Sequence, residues 1–447
     1  MSSSSSEDGD LSTARGYAGT RRGLAAVATF VLLVIGLPRM TLGQTQLSAG
    51  IATGAISCSQ SANATGHLVC AEYATSGTIF GVSWQAPGTV GGPTVLAANG
   101  DSVELLDTVD PAQTLGTAAG TLLGAPGCGP ANNNTGTTVC LIVSNGGAGL
   151  IFQGAAFYPA PAVVPPVLVS LDTRPAAQTS SNPSCASANA NGAVVCAVVV
   201  DNQLYGIGFQ PRTGVNTHLI GLLAGTTGFT GNPNCTSPEG TLTVTCAIRH
   251  GGGLLGFAVQ FNPTGPTLTT TGSIQVGNSS LVGDPACAIR GAGPTALICA
   301  FVSGNNLLGI SLDPQMQAAT GLQSLGLPLD GGSWTGQVGC AQVPDFRNLQ
   351  NPNVANPNGN LVSCAAVSST SNVFAATFDP VTGVVFGING PFAANINSVP
   401  SCITLAVDRD EIACGATRRD GTSAAWRAPV GLLPQSVSAA VTASMLN

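Results

Sequence analysis

The chain has 447 residues, of which 44% are hydrophobic and only 7% charged, and all thirteen of its cationic side chains are arginine. Hydrophobicity at that level excludes a disordered chain, which needs few apolar residues to stay unfolded. The formal net charge of −7 disfavours nucleic acid and anionic membrane as partners.

In chain order, residues 1–20 form a polar leader, followed by Arg21 and Arg22, an apolar run from Gly23 to Pro38, and small residues at Thr41 and Gly43. A basic flank, a short apolar core and small residues are the parts of a secretory signal, so residues 1–43 read as leader and signal, with a cut near Gln44. The run is shorter than the roughly 20 residues of a membrane span. An uncleaved signal would leave a membrane-anchored form; without it, the mature chain has no segment for insertion. "TRRGLA" also fits a loose twin-arginine pattern, but that route exports folded chains from a reducing compartment, where cysteines stay unpaired. After the cut, nine arginines face seventeen acidic residues, a net charge of −8.

From residue 44 onward the cysteines come in couples: Cys58/Cys70, Cys128/Cys140, Cys185/Cys196, Cys235/Cys246, Cys287/Cys299, Cys340/Cys364 and Cys402/Cys414. The first cysteines recur at intervals of 70, 57, 50, 52, 53 and 62 residues, the mark of a repeat architecture. Each unit reads alike. An approach such as "GNPNC" or "GDPAC" reaches the first cysteine, a turn-rich segment follows, and the second cysteine sits in an apolar run such as "VVCAVVV". A third run ("QLYGIGF", "LLGISLDP") closes on a proline-glycine turn, and a weaker fourth run completes the unit.

Runs this short between turn signals are antiparallel strands. Strands apolar throughout are buried on both faces, as when sheets stack on neighbours at each side. Four strands in each of seven units predict an all-β, seven-bladed β-propeller over residues 44–447, its blades near 54–122, 123–180, 181–230, 231–282, 283–334, 335–397 and 398–447. Whether "TQLSAG" near Thr45 supplies the strand that closes the ring stays open.

The first two strands of a blade form a hairpin, which sets its two cysteines opposite each other at roughly 4.5–5.5 Å between Cα atoms, inside the range of a disulfide. One bridge per blade follows, each contributing about 3 kcal/mol on a chain-entropy argument. A metal site would need clustered ligands such as C-x-x-C, and none is present. A transmembrane barrel would need aromatic girdles, and three Trp and four Tyr do not make them.

The order of weak strand, approach, first strand, turn, apolar second strand and third strand resembles the repeats of bacterial seven-bladed propeller lectins of the fucose-binding PLL type. The similarity is clearest over residues 181–211 and 283–314 and extends to the rest of the propeller in blade plan only. It implies a rigid ring holding sugars between blades through aromatic and polar side chains. Two aromatics stand where that would place a binding ring, Trp334 and Phe229, each six residues before a first cysteine. The same position holds Ala52, Leu122, Thr179, Leu281 and Ile396 in the other units, and the plain alternative is a residue packed between blades. Blade 6 widens its first hairpin to include Phe346 and Arg347, and blade 1 lengthens the link between its third and fourth strands; enlarged loops on a regular scaffold are common places for function.

Catalytic chemistry does not stand out. His67, His218 and His250 occupy different places in different blades. Asp408, Asp410 and Glu411 could ligate calcium but read more simply as a solvated turn beside Arg409. No nucleophile elbow is present. Four N-x-S/T sequons, at Asn63, Asn133, Asn234 and Asn278, are within what this composition yields by chance. The expected protein is therefore a secreted or cell-surface propeller, periplasmic or extracellular. It would lack a cofactor and bind a glycan or a cell-surface protein. Two readings stay beside it: a structural envelope protein, favoured by a mean hydropathy of +0.34, and a hydrolase or lyase with its residues gathered at the central axis.

Overall fold

A computed structural model describes residues 56–60, 67–73, 77–85, 107–108, 113–117, 119–131, 137–157, 167–175, 177, 179–188, 192–210, 215–216, 220–221, 227–237, 241–262, 267–277, 281–289, 296–313, 315–343, 361–379, 383–404, 411–421 and 423–429. Residues 1–43, expected to form leader and signal, lie outside these residues. Among the described residues no helix is long and apolar enough to cross a membrane.

Seven antiparallel sheets follow one another along the chain. Blade 1 contains β1 (Ser57–Gln60), β2 (His67–Tyr73) and β3 (Thr78–Gln85), with two described rim segments, β4 (Asp107–Thr108) and β5 (Gln113–Thr117). In blade 2 the inner strand is the one in two pieces, β6 (Thr121–Leu122) and β7 (Gly127–Pro130), followed by β8 (Thr138–Asn145), β9 (Gly149–Phe157) and β10 (Val167–Pro175). Blade 3 holds β11 (Ser184–Ser187), β12 (Val194–Val200), β13 (Gln203–Gln210) and a rim of two short pieces, β14 (Val215–Asn216) and β15 (Ile220–Gly221). Blades 4 and 5 are four-stranded, with β16 (Phe229–Thr236), β17 (Thr243–His250), β18 (Gly253–Asn262) and β19 (Thr267–Val276), then β20 (Leu281–Ile289), β21 (Leu297–Ser303), β22 (Asn306–Leu312) and β23 (Ala319–Gly326). Blade 6 is also four-stranded, with β24 (Trp334–Val343), β25 (Leu361–Ser368), β26 (Val373–Asp379) and β27 (Val384–Ala393). Blade 7 shows three strands among the described residues, β28 (Ser401–Thr404), β29 (Glu411–Thr417) and β30 (Ser423–Pro429).

First strands touch first strands around the whole ring, β28 meeting β1, so they line the axis and the fourth strands form the rim. This is the expected seven-bladed propeller. In β12, β21 and β25 every residue is buried, as unbroken apolar runs require. The apolar cores lie between blades rather than within them. One cluster joins Val195 and Val199 of blade 3 to Val244, Phe257 and Phe261 of blade 4, and the others bridge the neighbouring blades in the same way.

A repeated fit sets the blade spacing. The third strand of one blade has a glycine into which the next blade inserts a large side chain from the end of its own third strand: Gly81 takes Phe157, Gly154 takes Phe209, Gly208 takes Phe261, Gly256 takes Leu312 and Gly309 takes Phe378. A methyl group at Gly154 would stand 2.7 Å from the Phe209 ring, and one at Gly81 2.5 Å from Phe157. No side chain fits there, so glycine is a packing requirement.

All seven cysteine couples are bridged as the hairpin argument expects, and no cysteine is free. The bridges are Cys58–Cys70, Cys128–Cys140, Cys185–Cys196, Cys235–Cys246, Cys287–Cys299, Cys340–Cys364 and Cys402–Cys414. In each, the two cysteines are direct cross-strand partners on the first and second strands of a blade. The spacing corrects the expectation in one respect. The paired Cα atoms are 3.9–4.1 Å apart, closer than the 4.5–5.5 Å expected of opposed residues in general. That spacing belongs with the close, non-hydrogen-bonded class of antiparallel pair, whose side chains already face each other at short range.

Candidate functional site

At the rim end of the junction between blades 2 and 3, charged, aromatic and amide side chains meet on the surface. Asp172 and Arg174 are two residues apart on β10 and share a face, as do Gln203 and Tyr205 on β13. The Arg174 guanidinium carbon lies 5.1 Å from the centre of the Tyr205 ring. Arg174 Nε is 3.9 Å from Asp172 Oδ2, with side chains 34% and 22% exposed. The Tyr205 hydroxyl donates to Gln203 Oε1. Beneath, Leu171 and Tyr205 rest on the core shared by the two blades.

The second and third strands of blade 3 turn through Asp201 and Asn202, both at positive φ (49° and 65°), as a tight two-residue hairpin demands. The turn is fixed from outside, because Thr179 donates its N–H (3.0 Å) and its hydroxyl (2.9 Å) to Asp201 Oδ1. The cluster thus offers a planar ring, a guanidinium, a carboxylate and an amide on a stiff base. Its one cation sits beside its nearest anion, so the surface suits a polar, uncharged ligand with hydroxyls to share.

A second polar group joins the approaches of blades 2 to 5. The residue three before the first cysteine reaches back to the preceding blade: Asn182 Oδ1 accepts from the Ala125 N–H (2.9 Å), and Asn232 Oδ1 from the Asn182 N–H (2.7 Å). Asp284 Oδ2 accepts from Asn232 Nδ2 (2.7 Å), and Asp284 Oδ1 lies 3.4 Å from Arg249 Nε. Burial raises the Asp284 pKa, against the lowering effect of the Asn232 hydrogen bonds and the Arg249 charge. Asn182 Oδ1, Asn232 Oδ1 and Asp284 Oδ2 each accept a hydrogen bond across a blade junction, and Asp284 Oδ1 faces Arg249 as an ion pair without a hydrogen bond. Among the described residues no group of His, Cys, Asp and Glu could hold a metal ion.

The third group is the corner before blade 6. Asp330 Oδ2 accepts from the Ser368 hydroxyl (2.7 Å), the Thr370 hydroxyl and Asn372 Nδ2 (3.1 Å), and Asp330 Oδ1 from the Gly332 N–H (3.0 Å). Slight burial raises the pKa of this carboxyl, but the hydrogen bonds outweigh it and hold it at about 2.

The residues singled out from sequence lie elsewhere. Phe229 is 0% exposed and tilts against His250 with ring centres 4.6 Å apart. Trp334 is 4% exposed, donates its indole N–H to the Gly326 carbonyl (2.9 Å) and meets Phe374 edge-on. Their expected role, an exposed face for a sugar, does not match these positions. The reason is register: the residue six before the first cysteine pairs with the last residue of the second strand, Phe229 with His250 and Trp334 with Ser368, which draws the ring between blades. Phe346, Arg347, His218, Asp408, Arg409 and Asp410 lie outside the described residues, as do the enlarged loops of blades 1 and 6. His67 and Glu411 are described in backbone only, in β2 and β29. The cysteines stand apart from every polar group above. Cys70, Cys140, Cys196, Cys246, Cys299, Cys364 and Cys414 are all fully buried on second strands, where each bridge ties the first strand of its blade to the second.

No protein-family model matches the chain, and no curated protein matches it. Solved structures do. The BP39L lectin from Burkholderia pseudomallei aligns at a TM-score of 0.54 and 12% identity, over 86% of this chain and 100% of the lectin. The SapL1 lectin, solved in complex with alpha methyl fucoside, aligns at a TM-score of 0.41 and 12% identity over 78% of this chain and 99% of its own. A six-bladed fungal lectin from Aleuria aurantia, with a fucose recognition mode of its own, aligns at 0.43 and 8% identity over 75% and 94%. At such identities the likeness is one of fold: the chain is a seven-bladed β-propeller similar in structure to β-propeller lectins.

Proposed function

We propose that the protein is a secreted, non-catalytic binding propeller whose ligand is a carbohydrate, held at the junction of blades 2 and 3 by Tyr205, Arg174, Asp172 and Gln203. The observation that carries this reading is that cluster. Its side chains are partly exposed and pre-positioned, and together they have the mixed aromatic and hydrogen-bonding character that orients a polar ligand. The structural likeness to propeller lectins supports the same ligand class. Seven disulfides suit an oxidising, extracytoplasmic setting. The described polar groups of the blade approaches join blade to blade, which speaks for binding over catalysis there.

The test is a glycan array with the oxidised protein, run beside Tyr205→Ala, Tyr205→Phe and Arg174→Gln. Saturable binding that falls at least about tenfold (about 1.4 kcal/mol) in Tyr205→Ala and in Arg174→Gln supports the reading. Binding unchanged in every variant moves the site away from this junction. A protein that binds no glycan overturns the carbohydrate reading and favours a structural role at the cell surface.

A further inference from the structure

A propeller has seven rim strands, each with an outer side free to pair with another chain, and natural sheets blunt such edges with charge, proline, bulges or brevity. Among the described residues, six of the seven outermost strands are short, charged, irregular or carry proline. In blade 1 the described rim segments, β4 and β5, have two and five residues, and in blade 3, β14 and β15 have two each. In blade 2, β10 carries Asp172 and Arg174, ends on Pro175 and is irregular between Ser170 and Asp172. In blade 5, β23 shifts register twice; in blade 6, β27 also shifts twice and contains Pro391. In blade 7 the outermost described strand, β30, bears Arg427 and Pro429.

Blade 4 is the exception. Its rim strand β19, "TLTTTGSIQV", has ten residues, no charge and no proline, and a single irregularity along nine paired positions with β18. Thr267, Thr269, Thr270, Thr271, Ser273 and Gln275 are exposed. No described strand pairs with its outer side.

We infer that β19 is a self-association edge: two copies of this chain pair their β19 strands antiparallel across a two-fold axis. A second copy is the occupant the strand fits best. Antiparallel self-pairing is isologous, so one surface is its own complement. The absence of charge on the strand lets two acidic molecules of net charge −8 after signal removal approach without facing like charges at the contact. Threonine opposite threonine or serine is a favourable cross-strand pair. The contact is one strand wide, so the dimer is weak, in the micromolar range of small interfaces. Two discs joined rim to rim present two copies of any ligand site, which raises avidity without new ligand contacts. The pairing does not depend on the ligand being a carbohydrate.

The experiment is sedimentation velocity of the oxidised protein from about 1 to about 100 µM, a range spanning micromolar dissociation, with Thr269→Lys, Ser273→Lys, the control Ser170→Lys on β10, and Tyr205→Ala. A wild-type sedimentation coefficient that rises with concentration, stays low in Thr269→Lys and Ser273→Lys, and rises normally in Ser170→Lys is the expected result. A lysine on the edge strand of each copy adds like charge to the contact and blunts the edge, and both positions are exposed, so folding, checked by circular dichroism and melting, is retained. Dimerisation intact in Tyr205→Ala separates this contact from the ligand site. A wild type monomeric at the top concentration, or a dimer that persists in both lysine variants of β19, overturns the inference.

Discussion

The Ser401 hydroxyl oxygen accepts a hydrogen bond from the Cys58 N–H at 2.8 Å, although 343 residues separate them. This joins the first blade to the last, and it repeats around the axis. Ser57 accepts from the Cys128 N–H (2.9 Å), Ser184 from Cys235 (2.9 Å) and Asn234 from Cys287 (3.0 Å). In each case the residue just before one blade's first cysteine takes the amide of the next blade's first cysteine. Three residues before the first cysteine, Asn182, Asn232 and Asp284 point the opposite way, back to the preceding blade, so where both rows occur the inner strands are tied in both directions.

Ser401→Ala leaves the Cys58 N–H without that partner at a partly buried position, a loss of about 1–3 kcal/mol in denaturant unfolding. Exposed Ser→Ala changes stay within about 0.5 kcal/mol. A loss of only that size would mean that the bond does not help to close the ring.

Where the row lacks a polar side chain, space explains two of the three gaps. Gly127 and Gly339 face the Pro183 and Pro400 carbonyls of the next blade, which leave no room for a Cβ. Ala286 has no such explanation. The glycine holes further out follow the same logic. Gly154→Ala pushes against Phe209 and destabilises by about 1–3 kcal/mol. Combining it with Phe209→Leu, which shortens the intruding group, recovers part of that loss if the contact is direct. Strictly additive effects in a double-mutant cycle would show that the two residues do not touch energetically.

Much of this was readable in advance. The cysteine couples gave the blade count because each marks one inner hairpin, and the unbroken "VVCAVVV" and "LICAFVS" runs announced strands covered on both faces. Even Cys340 and Cys364, separated by twice the usual interval, pair in the same register, because the added residues fall between Val343 and Leu361, the last pair of the hairpin strands. Strand pairing within a hairpin is local and leaves a spacing. Contacts between blades leave none: Arg174 and Tyr205 meet across thirty-one residues through the stacking of two sheets, and only their alternation with Asp172 and Gln203 hints that each pair shares a face. The aromatics at Phe229 and Trp334 look exposed when the approach is taken as a free connection. Counting four residues past the second cysteine gives His250 and Ser368, the partners that bury them, but the register break at the approach hides that pairing from a periodic reading.

Trp334 therefore belongs to stability. Trp334→Ala removes a ring packed between blades 5 and 6 and costs about 3–5 kcal/mol. Trp334→Phe keeps most of the packing and loses the indole donor to the Gly326 carbonyl, about 1 kcal/mol. Melting curves separate the two losses. Ligand affinity of the folded fraction is expected to stay at the wild-type level in Trp334→Phe, and a weakened affinity there would return the ring to the binding site.

Asp284 and Asp330 give opposite pH signatures. Burial raises the folded pKa of Asp284 above its ordinary value of 3.8, so its contribution to stability is complete below the unfolded pKa and is lost as pH rises through the folded value. Hydrogen bonds hold Asp330 at about 2 in the fold, so its contribution is complete above the unfolded pKa and is lost as pH falls towards 2. As pH rises from about 2 to about 5.5, below the ordinary histidine range, the wild type should lose stability relative to Asp284→Asn and gain it relative to Asp330→Asn. Unfolding free energies of the three proteins across this window provide the check. Two slopes of the same sign would mean that one of the carboxylates sits in surroundings unlike those described, and the nearer suspect would be Asp330, whose exposed hydrogen bonds compete with water.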